Sequence, residues 1–343
     1  MPHLSLPLFH SRINRKLKGS DTINDLLVIN LDAFVNGSDS TRRCIASQVD
    51  AALQQHGFFY LSNHGVDSQV VQSCFEQSKR YFDLPQETRA HHHSSASQPY
   101  GFSPCKNESV LGQPCMKESF GFNSGDDIAR QVAWPSEDAV PGFKKTALTL
   151  FDECKGVVSH LLDCLSLALA LPPELHLLRH HSHANDTCSL LHYPAVPASD
   201  SAVPVVRHPA HADFGTLTLL FQDNVGGLEI AEGVSVAADD EVFRAVPPAK
   251  DLIVVNAGYL LMRWSNQRWK SSIHRVCWPA STKRNRFSKT IPERYSIAFF
   301  SHPDDATVID ALPGCHGESR GKLFPPLDTG EYLRRRRTGM YTG

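Results

Sequence analysis

The sequence predicts an α+β protein whose helices come first and whose strands follow as a sandwich or jelly-roll barrel. Apolar residues recur at helical spacing up to about residue 171. After residue 186 they form short runs separated by turn residues, which is typical of all-β architectures. This order argues against a doubly wound α/β sheet, in which strands and helices alternate. The runs are 189–193, 216–221, 228–230, 241–245, 252–256, 260–264, 272–276 and 295–300.

The first half of the chain shows three helical patterns and one clear strand. Ser40 is the expected N-cap of the first helix, and a second helix is expected within 67–85, where a proline stops it. The apolar run 58–61 between them predicts a strand. A long helix is predicted over 143–171, whereas 88–140 shows little periodicity and predicts loops.

The composition of the 343-residue chain is that of an ordinary globular protein. Hydrophobic residues make up 41% and charged residues 20%, so we expect neither disorder nor a coiled coil as its main state. The formal net charge of −2 gives no general attraction to nucleic acid or to an anionic membrane. No run of 18 apolar residues occurs, so no transmembrane span is expected. Neither nucleic acid nor a membrane is therefore an expected partner.

The nine cysteines include no CxxC pair and are odd in number, which is typical of reduced thiols in an intracellular chain. We therefore expect a cytoplasmic protein. Four segments are predicted: a flexible N-terminal arm over 1–25, a mixed helical region over 26–185, a jelly-roll core over 186–305 and a C-terminal segment over 306–343. The basic arm is interpreted as a frayed terminus, with a transit peptide as the alternative. The sequence does not indicate an oligomeric state.

His211 and Asp213 are candidate metal ligands, because residues two apart in a strand face the same side, ~6.6 Å apart. His274 lies on another predicted strand and is the candidate third ligand. Two imidazoles and one carboxylate on one side of an ion leave three coordination positions for other molecules. This is the arrangement of non-heme Fe(II) oxygenases.

The HxD pattern alone is weak evidence in a chain with 18 histidines. A second example is His302-Pro303-Asp304, and an HxE occurs at His316-Gly317-Glu318. Proline disturbs strand pairing around the second HxD, and neither alternative has an anion site downstream. For His211 and Asp213 themselves, the alternative reading is a hydrogen-bonded surface pair.

A candidate anion site strengthens the oxygenase interpretation. Arg294 and Ser296 face one side of a strongly apolar predicted strand, and a guanidinium with a hydroxyl is a good receptor for a carboxylate. Two other RxS triplets begin at Arg263 and Arg286. Arg263 is interpreted as a structural ion-pair residue, and Arg286 lies in a cationic loop over 283–289.

In this order, His211-Ala212-Asp213, His274 and Arg294-Tyr295-Ser296 resemble the isopenicillin N synthase-like branch of the iron- and 2-oxoglutarate-dependent dioxygenases. The resemblance covers roughly residues 26–335, and it is specific as an ensemble although each motif is modest. Further stretches that resemble the family are 57–65, Leu84-Pro85, Lys117-Glu118-Ser119-Phe120, 214–220, 226–228, Asn256-Ala257-Gly258, 264–266 and 271–276.

This resemblance implies a double-stranded β-helix (jelly-roll) core with flanking N-terminal and C-terminal helices. It implies Fe(II) bound by His211, Asp213 and His274, with 2-oxoglutarate as cosubstrate and O₂ as oxidant. Ascorbate is expected to help activity in vitro. Since both imidazoles ordinarily titrate near ~6.5, we expect the metal to be lost in mild acid.

The resemblance also implies the cosubstrate and substrate contacts. The distal carboxylate of 2-oxoglutarate is expected at Arg294 and Ser296, and Tyr193 matches a tyrosine that helps to hold it in many members. Tyr100 and Lys117 are candidate substrate contacts, because mid-chain loops usually frame the pocket in this family.

Three features depart from the family pattern. Tyr259 stands where aspartate is usual after the glycine, and Ser189 stands where arginine is common. The stretch between His274 and Arg294 is longer than usual and contains the basic loop 283–289. None of these departures touches the proposed metal ligands.

The expected function is hydroxylation, desaturation or cyclisation of a small organic molecule. We expect this reaction to belong to specialised metabolism, which the resemblance implies as the commonest role of the family. An oxidase of the same family that does not use 2-oxoglutarate is one alternative. A non-catalytic binding module on the same fold is another. The stretch 317–321 formally matches a hydrolase nucleophile elbow, but it lacks the preceding strand which that motif requires.

Overall fold

The computed structural model describes residues 21–94, 100–110, 112–124, 132–197, 205–232, 242–278 and 290–341. The basic loop 283–289 and most of the predicted N-terminal arm lie outside these residues. No helix among the described residues is long and apolar enough to cross a membrane.

Seven α-helices are present in the described residues, and side-chain caps define where several begin. Asp67 caps α3, because its carboxylate accepts a hydrogen bond of 2.8 Å from the backbone N–H of Gln69. The prediction for α2 was two residues late, since Ser38 rather than Ser40 is its N-cap. The helices are α1 (Leu31–Val35), α2 (Asp39–Gln55), α3 (Ser68–Phe82), α4 (Gln86–Ala90), α5 (Phe143–Ala168), α6 (Tyr259–Trp264) and α7 (Thr329–Tyr341).

Within the described ranges, the strands form two principal sheets and three short two-stranded ribbons. The strands are β1 (Thr22–Ile23), β2 (Leu26–Asn30), β3 (Phe58–Ser62), β4 (Gly101–Ser103), β5 (Ser109–Val110), β6 (Gln113–Pro114), β7 (Glu118–Phe122), β8 (Thr187–Tyr193), β9 (Val196–Pro197), β10 (Val205–His211), β11 (Leu217–Gln222), β12 (Leu228–Ala231), β13 (Phe243–Ala245), β14 (Ile253–Ala257), β15 (His274–Trp278), β16 (Thr290–Ile291), β17 (Arg294–Ser301), β18 (Val308–Ile309) and β19 (Leu327–Asp328).

The major sheet has nine strands in the order β1-β2-β3-β14-β11-β17-β8-β7-β4. The minor sheet has four strands in the order β10-β15-β12-β13. Apolar residues of both sheets pack together between them: Tyr60 and Val254 of the major sheet belong to one cluster with Leu228 and Ile230 of the minor sheet. The two sheets therefore form the sandwich that the sequence predicts.

The opposite face of the major sheet is covered by the helices. The buried side chains of α2, α3 and α5 join those of β11 and β17 in the largest apolar cluster. Phe151 of α5 packs edge-on against Phe299 of β17, with ring centroids 4.9 Å apart. This packing leaves the space between the sheets for a functional site.

Two expectations about secondary structure were wrong. Residues 260–264 are not a strand but belong to α6. Gly258, which packs closely against Gly215, is the N-cap of this helix, and Leu260 and Leu261 are buried on it. The stretch 88–140 is not only loops, because β7 pairs with β8 and extends the major sheet. Short apolar runs do not distinguish a helical turn from a strand.

Candidate metal centre and cosubstrate pocket

The pairing of two strands brings the predicted metal ligands together. His211 is the last residue of β10, His274 is the first of β15, and these residues are direct partners in the antiparallel register. Asp213 follows in the turn to β11. One ligand atom from each of the three residues lies within 4.8 Å of the others. Among the described residues, this is the one group of three or more His, Cys, Asp or Glu side chains close enough to hold a metal ion.

Neighbouring groups orient each of these side chains toward a common point. The Nε2 atoms of His211 and His274 lie 3.8 Å and 3.7 Å from Oδ1 of Asp213. The other imidazole nitrogen of each histidine contacts a backbone carbonyl, that of Pro209 at 2.9 Å and that of Ser272 at 3.2 Å. Such contacts fix the tautomer in which Nε2 is free to bind a metal.

The second carboxylate oxygen of Asp213 is already occupied. Its Oδ2 accepts hydrogen bonds from Thr218 Oγ1 at 2.6 Å and from Asn256 Nδ2 at 2.7 Å. Oδ1 is therefore the oxygen that faces the two imidazoles. A pair of neutral imidazoles with one carboxylate oxygen is a donor set that suits Fe(II), so the residues present fit this metal.

Electrostatics favour the protonation state that binds a metal. Burial, together with the neighbouring His274, lowers the pKa of His211 to about 4, so its imidazole is neutral near pH 7. Burial acts to raise the pKa of Asp213, but the two imidazoles and the hydrogen bonds from Thr218 and Asn256 hold this pKa below its ordinary value. The aspartate is therefore ionised.

Arg294 and Tyr193 form a buried candidate receptor beside Gln222, the last residue of β11. They are direct partners in the register of β17 and β8, and each is only 1% exposed. The guanidinium lies over the Tyr193 ring at 4.9 Å from its centroid. It donates hydrogen bonds to Ser296 Oγ at 2.9 Å and to Gln222 Oε1 at 3.1 Å.

In the part of the chain that the structure describes, no acid balances the charge of Arg294. It makes no ion pair with any described residue, and its Nε–H is buried without a hydrogen-bond partner. A buried cation with an unused donor is costly unless an anion binds it. The receptor therefore fits a carboxylate ligand.

A cavity of about 800 Å³ adjoins the metal ligands. Tyr100 and Lys117 line it, as do His211 and Asp213. The Nζ of Lys117 lies 2.5 Å from Oε2 of Glu108, and Ser119 Oγ donates to the other oxygen of Glu108 at 2.9 Å. The cavity thus combines apolar walls with the Lys117–Glu108 ion pair.

Comparison with known proteins identifies the family. Residues 26–137 match the family model described as "non-haem dioxygenase in morphine synthesis N-terminal", and residues 184–303 match the "2OG-Fe(II) oxygenase superfamily". The 2-oxoglutarate-dependent dioxygenase htyE of Aspergillus rugulosus is 30% identical over 310 residues, which cover 84% of this chain and 91% of that protein. The chain belongs to the iron- and 2-oxoglutarate-dependent dioxygenases.

Further relatives agree with this membership. The proline hydroxylase buaE of Petromyces alliaceus is 32% identical over 297 residues, covering 81% of this chain and 88% of that protein. A full-length Neurospora crassa protein in complex with alpha-KG (2-oxoglutarate) superposes with a TM-score of 0.81 at 29% identity, covering 93% of this chain and 98% of the other. These 2OG-Fe(II) oxygenases have a jelly-roll core, and this dioxygenase shares it.

The dioxygenase is accordingly an oxidoreductase that uses Fe(II), 2-oxoglutarate and O₂. The structure brings His211, Asp213 and His274 together, and it places Arg294 beside Ser296 and Tyr193. The roles assigned to these residues one by one, and to Tyr100 and Lys117, stay predictions.

Several residues that shape the site were missed in the sequence. Thr218 and Asn256 lie in stretches that resemble the family, 214–220 and 256–258, so the resemblance could have pointed to them. His208 had no such signal: its ring stacks on His211 with centroids 4.2 Å apart and planes at 14°. Glu108 also had none, because only the fold brings it to Lys117.

Other candidate motifs have structural explanations. Both carboxylate oxygens of Asp304, in the second HxD, accept hydrogen bonds from the backbone of Ser182. Arg263 was expected to form an ion pair, but it donates to the Pro325 carbonyl and to Tyr259 Oη instead. The stretch 317–321 contains a short bridge between Gly317 and Arg320 rather than the strand–turn–helix of a nucleophile elbow.

Two of the three departures from the family pattern lie at the cavity, and the third, the basic loop 283–289, is outside the described residues. Ser189 and Tyr259 both line the cavity. The Tyr259 ring stacks on Tyr332 of α7, with centroids 5.4 Å apart and planes at 20°. Tyr259 therefore helps to fasten the C-terminal helix next to the cavity.

Proposed function

We propose that the dioxygenase oxidises a C–H bond of a small organic molecule that carries a carbonyl or carboxylate group, with hydroxylation as its main reaction and a role in specialised metabolism. The observation that carries the proposal is the cavity of about 800 Å³, which adjoins His211 and Asp213 and contains the Lys117–Glu108 ion pair. Its size suits a small molecule, and pockets of this kind bury most of such a ligand.

In this proposal, His211, Asp213 and His274 hold Fe(II), and Arg294 with Ser296 holds the distal carboxylate of 2-oxoglutarate. Bound iron supplies the oxidation of the substrate by O₂, coupled to decarboxylation of 2-oxoglutarate to succinate. The protein orients the substrate and excludes water. The N-terminal helices and α7 flank the jelly-roll core, and Leu333 of α7 lines the cavity.

Lys117 is the residue that we assign to substrate orientation. It is 6% exposed, and its ammonium donates one hydrogen bond, to Glu108, among the contacts of the described residues. Burial acts to lower the pKa of Lys117, but the Glu108 carboxylate raises this pKa above its ordinary value, so the cation persists. An ammonium has three donors, and Lys117 lines the cavity, so we assign its remaining donors to the substrate.

Two compounds associated with relatives have a suitable group. The Petromyces alliaceus relative is named a proline hydroxylase, and the Neurospora crassa protein was crystallised with thymine. Proline has a carboxylate and thymine has carbonyl oxygens, each an acceptor for an ammonium N–H. Tyr100, buried in the cavity wall, is the second proposed substrate contact.

The test is a substrate screen with Fe(II), ascorbate and 2-oxoglutarate, in which succinate and product masses are measured. Hydroxylation gives products heavier by one oxygen atom, whereas desaturation or cyclisation gives products lighter by two hydrogen atoms. Asp213→Ala is the control and is expected to lose both iron and activity. Absence of succinate from the iron-loaded enzyme with every compound would refute the proposal in favour of a binding module.

Matched pairs of compounds test the part assigned to Lys117. L-Proline and prolinol form one pair, and other carboxylic acids with their primary alcohols form further pairs. In each pair a charged carboxylate is replaced by a neutral hydroxymethyl group. We expect the wild-type enzyme to prefer the acid and Lys117→Met to lose about tenfold of that preference, because a charge-assisted hydrogen bond contributes roughly 1.5–3 kcal/mol. Lys155→Met, at an exposed ion pair on α5, is the matched control. An unchanged preference in Lys117→Met would remove Lys117 from substrate binding.

Localisation and assembly complete the proposal. All nine cysteines are free, and seven of them are buried, which is consistent with a reducing compartment such as the cytoplasm. The expected partner is the small-molecule substrate, without nucleic acid or membrane.

A further inference from the structure

Arg207 is a buried arginine that belongs neither to the metal ligands nor to the residues of the cosubstrate receptor. It lies on β10, four positions before His211, and is 2% exposed. In the register with β15, Val206 pairs with Cys277 and His208 pairs with the adjacent Val276. Arg207 is therefore the extra residue of a β-bulge, and bulges redirect side chains near active sites.

The bulge sends the guanidinium from the minor sheet to the ends of two strands of the major sheet. Arg207 donates a hydrogen bond of 3.0 Å to the carbonyl of Pro292 and another to the carbonyl of Pro194. Pro194 directly follows Tyr193, and Pro292 lies two residues before Arg294. One guanidinium thus joins the chain segments that carry the two main residues of the cosubstrate receptor.

Arg207 also lies over the tyrosine ring of the receptor. Its guanidinium carbon lies 5.3 Å from the centroid of the Tyr193 ring, and that of Arg294 lies 4.9 Å from the same centroid. Neither arginine forms an ion pair with any described residue, and the Nε–H of each is buried without a partner. Burial, with Arg294 nearby, lowers the pKa of Arg207 from its ordinary value.

We infer that Arg207 is a positioning residue for 2-oxoglutarate: it fixes Tyr193 and Arg294 in the geometry that binds the distal carboxylate. The inference rests on the proposed assignment of that carboxylate to Arg294 and Ser296. Arg207 acts through hydrogen bonds to the neighbouring backbone and through the Tyr193 ring rather than by touching the cosubstrate.

This arrangement has a consequence for charge. Two guanidinium groups around one tyrosine ring repel each other in a buried region, and a bound carboxylate relieves the repulsion. The receptor is thus preorganised for an anion, since its cations are held in place before the ligand arrives. The dependence on Arg207 is expected only for ligands that have a distal carboxylate.

Two 2-oxo acids separate this role from a merely structural one. 2-Oxoglutarate has the distal carboxylate, whereas 2-oxopentanoate has the same number of carbons and lacks it. Binding of each is measured by calorimetry on enzyme loaded with Mn(II) in place of Fe(II), without O₂. We expect Arg207→Gln to weaken 2-oxoglutarate binding about tenfold and to leave 2-oxopentanoate binding unchanged, since loss of charged hydrogen bonds typically costs this much.

Matched variants complete the experiment. Arg275→Gln is the control. Arg275 lies over the Phe243 ring at 3.7 Å and pairs with Glu229, and it contacts neither Tyr193 nor Arg294 among the described residues. We expect this variant to bind both 2-oxo acids as the wild type does. Arg207→Lys keeps the charge but loses the planar guanidinium that donates to both proline carbonyls. It is expected to weaken 2-oxoglutarate binding about threefold, and it serves if Arg207→Gln does not fold.

The outcomes separate two kinds of failure. Equal weakening for both 2-oxo acids, or no weakening in either Arg207 variant, would overturn the inference and leave Arg207 as a structural clamp. Arg294→Gln is measured in parallel. If that variant also binds 2-oxoglutarate as tightly as wild type, the assignment of the receptor itself is wrong, and the inference about Arg207 fails with it.

Discussion

The two carboxylate oxygens of Asp213 have different partners. Its Oδ1 faces the two imidazoles, while Thr218 and Asn256 occupy Oδ2. The hydrogen bonds prevent rotation of the carboxylate, and they keep it ionised in a buried position. Contacts of this kind behind a metal ligand typically contribute 10–100-fold in metal affinity.

We expect Asn256→Ala to weaken Fe(II) binding by roughly 10–100-fold, because it removes one of the two donors to Oδ2. Metal affinity is measured by competition with a chelator of known strength. Gln54→Ala is a matched control, since Gln54 donates to Asp50 at 2.7 Å on α2, away from the metal centre. Equal affinities of wild type and Asn256→Ala would show that Thr218 alone is sufficient to orient Asp213.

His211 determines the expected response of the metal centre to acid. The pKa of its imidazole in the folded chain is about 4, because of burial and the neighbouring His274, against 6.5 in the unfolded chain. Between these values the unfolded chain binds more protons, so the stability of the metal-free protein falls as the pH decreases from 6.5 toward about 4. The folded metal centre is thus expected to take up a proton at a lower pH than the ordinary imidazole pKa near ~6.5 suggests.

We therefore expect iron to be retained through mild acid and to be released only as the pH approaches about 4. The measurement is iron content after dialysis over a pH series, together with urea unfolding of the metal-free protein at each pH. Release with a midpoint near 6.5 would contradict the lowered pKa of His211. It would support the simpler expectation that the sequence alone provides.

At the scale of elements, the turn between β14 and α6 determines where Asp213 lies. The backbone N–H of Gly258 donates to the Thr216 carbonyl at 2.9 Å, and that of Tyr259 donates to the Asp213 carbonyl at 2.8 Å. A Cβ on Gly258 would lie 2.3 Å from the Gly215 carbonyl oxygen. Two segments of backbone thus approach each other closely beside the metal centre.

We expect Gly258→Ala to reduce the free energy of unfolding by about 1–3 kcal/mol, because overpacking displaces the backbone, and to weaken iron binding by moving Asp213. Chemical denaturation and iron titration measure the two effects. Gly317→Ala is the control, since a Cβ there meets nothing within 4 Å. Loss of stability with unchanged iron affinity would show that the turn at Gly258 does not determine the position of Asp213 in the metal centre.

The same turn explains why α6 was mistaken for a strand. The run 260–264 is apolar and short, and nothing in its composition shows that Gly258 packs against Gly215 and begins a helix there. Strands with alternating or continuous apolar patterns between turn residues, such as β11 and β17, were predicted well because pattern and fold agree there. β7 was missed because its residues, Glu118 and Ser119 among them, bury polar side chains in ion pairs and hydrogen bonds that a periodicity argument does not detect.

At the scale of the whole molecule, the site depends on contacts between distant segments. The spacing of His211 and Asp213 and the resemblance to the family were sufficient to select the proposed ligands. The bulge at Arg207 and the pairing of Glu108 with Lys117 follow from sheet register and loop packing. Register is a property of two strands together, so these contacts were not accessible from either segment alone.

The residues proposed to bind the metal and the cosubstrate come from separate segments of the chain. Binding of either should therefore stabilise the entire fold. A ligand that binds only the folded state at 100 times its Kd adds ~2.7 kcal/mol. We expect metal to raise the Tm of the chelator-treated protein by several degrees, and 2-oxoglutarate to raise it further only when metal is present. Arg294→Ala should keep the first increment and lose the second, whereas Asp213→Ala should lose both. The assay is a thermal melt with Mn(II) without O₂, and a full 2-oxoglutarate increment in Arg294→Ala would place the distal carboxylate elsewhere.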